Sequence, residues 1–228
     1  MKHTIILFFT LTISTLLSAQ STDEQVNAIV DSFRVAYKVP GIATSVIHPE
    51  GILYGVAGYK NIASKAKIDL TSKFHSGSNT KAMVATIAAT LVEAGALNWD
   101  SKLLEIVPAL QGNCKKEYEN ITLEQLLSNR AMIAPFEEDN SKEWKNIPKN
   151  IAQEDNQKLA FAKYALNLPP SIPEEINHVY SNGGFGIAAL MLEVASGKSW
   201  EVLAKDFFQQ QGLAYFQGFP SQENQNGT

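Results

Sequence analysis

The pattern of apolar and polar positions divides the chain into recognisable segments. Residues 23–37 place Val26, Ile29, Val30, Phe33 and Tyr37 at helical spacing, and Pro40-Gly41 closes the run, so an amphipathic helix is expected there. Two stretches rich in β-branched and aromatic residues follow, 42–48 and 52–59, divided by Pro49-Glu50-Gly51. They predict a hairpin with suitable turn chemistry. Gly55 and Gly58 in the second stretch point to a bulge or a close backbone approach. Residues 61–72 read as a polar loop carrying several lysines.

Beyond this loop the period becomes helical. Residues 82–94 are apolar around most of a helical circumference (Met83, Val84, Ile87, Leu91, Val92), the pattern of a buried helix, and Gly95 stops it. Thr122 starts a short helix over 123–129, with Glu124 and Gln125 in its first turn. Residues 136–154 are polar and turn-rich, as in a surface excursion, and 156–168 form a helix ended by Pro169-Pro170. Tyr180-Ser181-Asn182-Gly183-Gly184 opens a strongly apolar helix over 185–196, closed by Gly197, and residues 200–211 predict a last helix. The tail from 217 is rich in Gln, Asn and Gly, and neither an internal repeat nor an interdomain linker is evident.

Residues 1–19 carry a different message. Met1-Lys2-His3 is a short basic start, residues 5–17 are apolar apart from Thr and Ser, and Ser18-Ala19-Gln20 offers a small-residue cleavage site after Ala19. This is the pattern of a secretory signal peptide. The apolar run is shorter than the ~20 residues of a spanning helix. A periplasmic or secreted protein, with no stable membrane anchor after cleavage, is therefore expected. The 228 residues, 45% hydrophobic and 18% charged, suit a globular chain able to bury a core. A net charge of −4 without a stripe of Lys and Arg argues against nucleic acid as a partner. Cys114 is the single cysteine, which rules out an intramolecular disulfide within these residues. His48, His75 and His178 are scattered, so no metal site and no cofactor are expected.

Candidate chemistry starts from a spacing. A serine at the mouth of a helix lies one turn from a lysine three residues on. A lysine amine in a shielded position can take the hydroxyl proton, and the helix N-terminus favours the forming anion. Ser-x-x-Lys occurs twice. Ser64-Lys65-Ala66-Lys67 lies in the polar loop with no helical pattern behind it, whereas Ser78-Asn79-Thr80-Lys81, preceded by Gly77, opens the buried-looking helix. On these grounds two roles suit Ser78, a nucleophile activated by Lys81 or a helix cap.

The surrounding residues add a resemblance. Phe74-His75-Ser76-Gly77-Ser78-Asn79-Thr80-Lys81 resembles the phenylalanine, variable pair, Gly-Ser-x-Thr-Lys signature of the penicillin-recognising, β-lactamase-related serine hydrolases. The preceding hairpin, Leu97-Asn98-Trp99-Asp100 and the 121–127 stretch fall in that family's order, so the likeness spans residues 22–216. Relatives of class C β-lactamases, DD-peptidases and esterases carry Tyr-x-Asn as a second motif. Two such triplets follow Ser78. Tyr118-Glu119-Asn120 leads into an ordinary connection; Tyr180-Ser181-Asn182 precedes the Gly-Gly turn into a buried helix, as in the family. The resemblance implies that Tyr180 works with Lys81 as general base and that Asn182 orients Lys81 and binds the substrate amide. On residue type alone, Tyr180 equally suits a half-buried tyrosine at a loop–helix junction.

The implied fold is α/β (α+β), β-lactamase/transpeptidase-like, with an antiparallel sheet and a helical region. The implied reaction is acyl transfer by Ser78 to a small-molecule or peptide substrate: a β-lactam, a D-alanyl peptide or an ester. Two departures stand out. Ser128-Asn129-Arg130-Ala131-Met132-Ile133 replaces the family's His-Thr-Ser-Gly-Leu, which puts the local turn in question. A third motif, Lys-Thr-Gly or His-x-Gly, whose strand donates an oxyanion-hole N–H beside that of Ser78, does not occur after Tyr180. Residues 20–228 are accordingly expected to be the N-terminal part of such a domain, inactive by itself and lacking later sheet strands. Rival chemistry is less well supported: there is no Gly-x-Ser-x-Gly elbow, and a class A β-lactamase wants Ser-Asp-Asn where Tyr180-Ser181-Asn182 stands. The alternative from another class is a non-catalytic penicillin- or peptide-binding module or sensor of the same fold. Oligomeric state is left open.

Overall fold

A computed structural model describes residues 23–137, 141–153, 156–172 and 178–214. The expected signal peptide and the tail from 217 lie outside them. The described residues form two compact units, one over 23–75 and one over 76–214.

The first unit is a helix on a small antiparallel sheet. Helix α1 (Asp23–Ala36) precedes β1 (Gly41–His48), β2 (Gly51–Asn61) and the two-residue β3 (Ala66–Lys67), in the order β1-β2-β3. His48 pairs with Gly51, so Pro49 and Glu50 alone make the turn. Gly55 is a close approach, not a bulge: a Cβ there would sit 2.6 Å from a Val26 methyl of α1. The irregular register falls further on, between Tyr59 and Asn61, where β3 pairs. That short strand lies inside the segment expected to be loop, because two paired residues leave no period-2 signal. The α1 stripe is also narrower than its spacing implies. Val26 and Val30 are buried, whereas Ile29, Phe33 and Tyr37 are exposed, the last two with rings stacked 6.2 Å apart. Polar side chains of α1 do further binding work, since Asp23 and Asn27 accept the Tyr54 and Val56 N–H groups at 2.8 and 2.7 Å.

The second unit is helical: α2 (Asn79–Glu93), α3 (Leu103–Ile106), α4 (Leu123–Leu127), α5 (Lys142–Lys145), α6 (Gln157–Asn167), α7 (Asn182–Ser196) and α8 (Trp200–Gln210). Its centre is α7, with Gly183, Gly184 and every residue from Ile187 to Leu192 buried. The apolar run of α2 implies a wholly buried helix, but only Val84, Ile87 and Ala88 are buried, a single stripe at helical spacing. Half-buried Leu91 and Val92 extend that stripe. Residues 136–154 also depart from a surface excursion at their first member. Phe136 is 1% exposed, and its ring packs edge-on against Phe161, Trp144 and Tyr164 at 5.0, 6.0 and 6.3 Å. One aromatic ring anchors an otherwise polar stretch. Cys114 is half-buried beside the core, where burial, then the charge of Glu119, pushes its thiol pKa up.

Local caps explain where the helices start. Thr122 and Gln125 form a reciprocal capping box at α4; Asn156 accepts the Leu159 N–H at α6; Ser181 accepts the Gly184 N–H at α7. Among the described residues, no helix is long and apolar enough to cross a membrane.

Candidate active site

The site is built where α2 begins beside the start of α7, within the helical unit. Gly77 has φ +53, a left-handed conformation that glycine adopts freely, and it delivers Ser78 to the end of α2. Ser78 has helical dihedrals (φ −71, ψ −4) and makes no side-chain capping bond. Its hydroxyl is therefore not spent on the helix end. Instead, Ser78 Oγ accepts hydrogen bonds from Tyr180 Oη at 2.6 Å and from Lys81 Nζ at 3.2 Å. The Ser78 N–H has no acceptor among the described residues and lies at the N-cap of α2, a position favourable to a developing oxyanion.

Lys81 is half-buried, and its ammonium also donates to Asn182 Oδ1 at 2.5 Å. Two aromatic faces complete its surroundings, with Tyr180 and Phe185 centroids 4.5 and 5.5 Å from Nζ. Among the described residues no carboxylate pairs with it, so its charge is available to the phenol. The Tyr180 pKa is lowered accordingly, first by hydrogen bonding to Lys81, then by Ser78, with the Lys81 charge adding to both; Glu137 opposes weakly. Two pairs of side chains from distant parts of the sequence, Ser78 with Lys81 and Tyr180 with Asn182, thus form one hydrogen-bonded set.

The competing motifs are placed elsewhere. Ser64 lies in a turn of the first unit, where its N–H donates to Asn61 Oδ1 and its Oγ accepts from the Ala66 N–H; Lys65 and Lys67 are exposed. Tyr118 is 1% exposed, and its hydroxyl reaches only the Met132 carbonyl at 3.4 Å. Burial, then the Glu117 charge, pushes its phenol up to about 12.

Sequence reasoning missed the brace behind Tyr180 and Asn182. The 129–136 segment, which begins within the 128–133 stretch that departs from the family pattern and continues past it, runs along the motif. Ser181 Oγ donates to the Ala134 carbonyl at 2.7 Å, the Asn182 N–H to Pro135 at 2.8 Å, and Asn182 Nδ2 to Phe136 at 2.8 Å. The last bond fixes the amide so that Oδ1 faces Lys81. Asn129, Met132 and Phe136 all have positive φ, 59, 54 and 51. Only Asn129 has a composition hinting at that conformation.

Among the described residues, no group of three His, Cys, Asp or Glu side chains could hold a metal ion. The family model described as Beta-lactamase matches residues 26–210. Penicillin-binding protein 4 of Amycolatopsis lactamdurans is 25% identical over 177 residues, covering 77% of this chain and 44% of the relative. Protein flp of Staphylococcus aureus is 22% identical over 191 residues, covering 78% and 34%. Among solved structures, SurE with D-Leu superposes with a TM-score of 0.67 at 21% identity, over 87% of this chain and 42% of that one. A class C beta lactamase from Rhodobacter sphaeroides gives 0.66 at 19%, over 83% and 49%. The fold is the mixed α/β β-lactamase fold, and the chain spans less than half the length of these relatives.

Proposed function

The chain belongs to the Beta-lactamase family, and on that premise we propose that it acts by acyl transfer, with Ser78 attacking the carbonyl of an amide or ester. One observation carries the reading: a serine oxygen that caps nothing is shared between a phenol at 2.6 Å and an ammonium at 3.2 Å.

The steps follow from that geometry. The short Ser78–Tyr180 contact sets the phenol directly against the serine hydroxyl, and hydrogen bonding to Lys81 and Ser78 lowers the phenol pKa, which eases formation of the phenolate base. When Ser78 attacks, its proton passes to the Tyr180 phenolate, which the Lys81 ammonium stabilises, and the Oγ–C bond forms. The carbonyl oxygen becomes negative near the Ser78 N–H. Collapse breaks the bond to the leaving amine or alcohol, which takes the proton from Tyr180. Water then repeats the sequence on the acyl-enzyme and restores Ser78. Asn182, fixed by Phe136, keeps Lys81 aimed at Ser78 throughout. β-Lactams, D-alanyl peptides and simple esters all fit this chemistry. D-Aminoacyl esters belong in the panel too, since SurE of the same fold is solved with D-Leu.

Absence of one oxyanion donor costs about 100- to 1000-fold in rate. Ser78 supplies the one donor identified among the described residues, so the assay is single-turnover. The chain is incubated with a fluorescent penicillin and with activated neutral and D-aminoacyl esters, then digested and mapped by mass spectrometry. The expected result is one acyl adduct on the peptide containing Ser78, absent from Ser78→Ala. An adduct that survives in Ser78→Ala, or the lack of any adduct across the panel, overturns the proposal.

A further inference from the structure

We infer that Asn129 is a positioning residue for Tyr180, clamping the backbone on both sides of the phenol; this rests on the acyl-transfer reading above. The Asn129 carbonyl accepts the Val179 N–H at 2.8 Å, and Asn129 Oδ1 accepts the Ser181 N–H at 3.0 Å. Tyr180 is the residue between those two donors. A single side chain and its own carbonyl thus determine where the Tyr180 Cα stands relative to Ser78.

Asn129 meets a second demand at the same time. It follows the last turn of α4 with φ +59, its N–H donating to the Leu126 carbonyl at 3.3 Å while the Arg130 N–H donates to Gln125 at 2.7 Å. That pair of bonds is the Schellman stop, whose left-handed residue is usually Gly and sometimes Asn. Glycine would end α4 equally well but has no Oδ1. Alanine would offer neither the acceptor nor an easy left-handed backbone. Asparagine satisfies both requirements, and so ties the end of α4 to the phenol.

The two demands can be separated by substitution. Asn129→Gly keeps the helix stop and removes the Ser181 acceptor; Asn129→Asp restores an acceptor. Three readouts are taken on the chain: single-turnover acylation of Ser78 against pH, titration of a 13C-labelled Tyr180 by NMR, and the thermal midpoint. Misplacing a catalytic group by about 1 Å costs on the order of 100-fold. Asn129→Gly is expected to slow acylation about 10- to 100-fold while the midpoint moves by only a few degrees. Its Tyr180 titration should return toward the ordinary tyrosine value as contact with Lys81 and Ser78 loosens. Asn129→Asp should recover acylation to within about threefold on the alkaline plateau, by restoring the clamp.

Acylation by Asn129→Gly within twofold of the parent, or an Asn129→Asp as impaired as Asn129→Gly, overturns the inference. The NMR titration separates the two claims: if no probe labels Ser78, acyl transfer fails. An unmoved Tyr180 titration in Asn129→Gly defeats the positioning role by itself.

Discussion

Tyr118 and Tyr180 each head a Tyr-x-Asn triplet in the same helical unit, and their phenols end in opposite electrostatic states. Tyr118 is enclosed by apolar side chains, with a carbonyl at 3.4 Å as its polar partner, and its pKa is pushed up to about 12. Tyr180 is half-buried, touches Ser78 Oγ at 2.6 Å and has its pKa lowered by Lys81. A triplet spacing makes neither a base nor a scaffold. What differs is a cation within reach of one phenol and the absence of water from the other. The buried tyrosine still bears on the site, because Met132, the carbonyl it contacts, belongs to the segment that braces Ser181 and Asn182.

The sharpest way to break this comparison is to remove both hydroxyls in turn. Loss of a positioned general base costs about 100- to 10,000-fold. Tyr180→Phe is expected to lower single-turnover acylation of Ser78 by that range, and Lys81→Met comparably. Tyr118→Phe should leave the rate within about threefold, measured at equal folded fraction. If Tyr118→Phe matched Tyr180→Phe, the assignment of roles to the two triplets would be wrong.

A smaller effect belongs to stability. A phenol held at about 12 when folded, against 10.0 when free, favours the protonated form in the native state. Its contribution is complete below pH 10 and is lost as pH rises from 10 through 12. At pH 11 the loss is about 1.4 kcal/mol for a two-unit separation. Urea unfolding at pH 8 and pH 11 should show that extra alkaline destabilisation in the parent and not in Tyr118→Phe. An equal alkaline loss in both proteins would mean that Tyr118 does not titrate on unfolding.

How much of this was legible in the chain depends on the range of the interaction. The starts of α4 and α6 were readable because their caps are local, with Thr122 and Gln125, and Asn156, each bonding within three residues; α7 starts at Asn182 behind the Ser181 cap, three residues before the apolar run 185–196. The hairpin was readable for the same reason, since its strands are joined by two residues. The candidate residues Ser78, Lys81, Tyr180 and Asn182 were nominated by motif, but a sequence does not state that Lys81 spans 101 positions to Asn182. Nor does it announce backbone acceptors: Ala134, Pro135 and Phe136 act through carbonyls that every residue possesses. Asn129 alone left a trace, an asparagine just past a helix end. The exposure of Ile29 and Phe33 and the partial burial of α2 escaped because apolar spacing reports which face is greasy, not what covers it.

The finest test of the comparison asks whether Tyr180 senses charge beyond contact. Glu137 follows the residue whose carbonyl holds Asn182, is exposed, and raises the Tyr180 pKa against the larger downward pull of Lys81. Acylation needs the phenolate, so the rate should climb with pH until Tyr180 is ionised, on the acid side of an ordinary tyrosine. Glu137→Gln removes an opposing charge and should move that climb to lower pH. Lys81→Met removes the principal cause of the lowering and should move its residual climb to higher pH, by more. Salt distinguishes the two, because the Debye length falls to about 3 Å at 1 M and exposed charges are screened first. The Glu137→Gln displacement should therefore fade in 1 M salt while the Lys81→Met displacement persists. An alkaline shift in Glu137→Gln, or one that high salt leaves intact, would show that Glu137 acts on Tyr180 by contact or by loop geometry and not through its field.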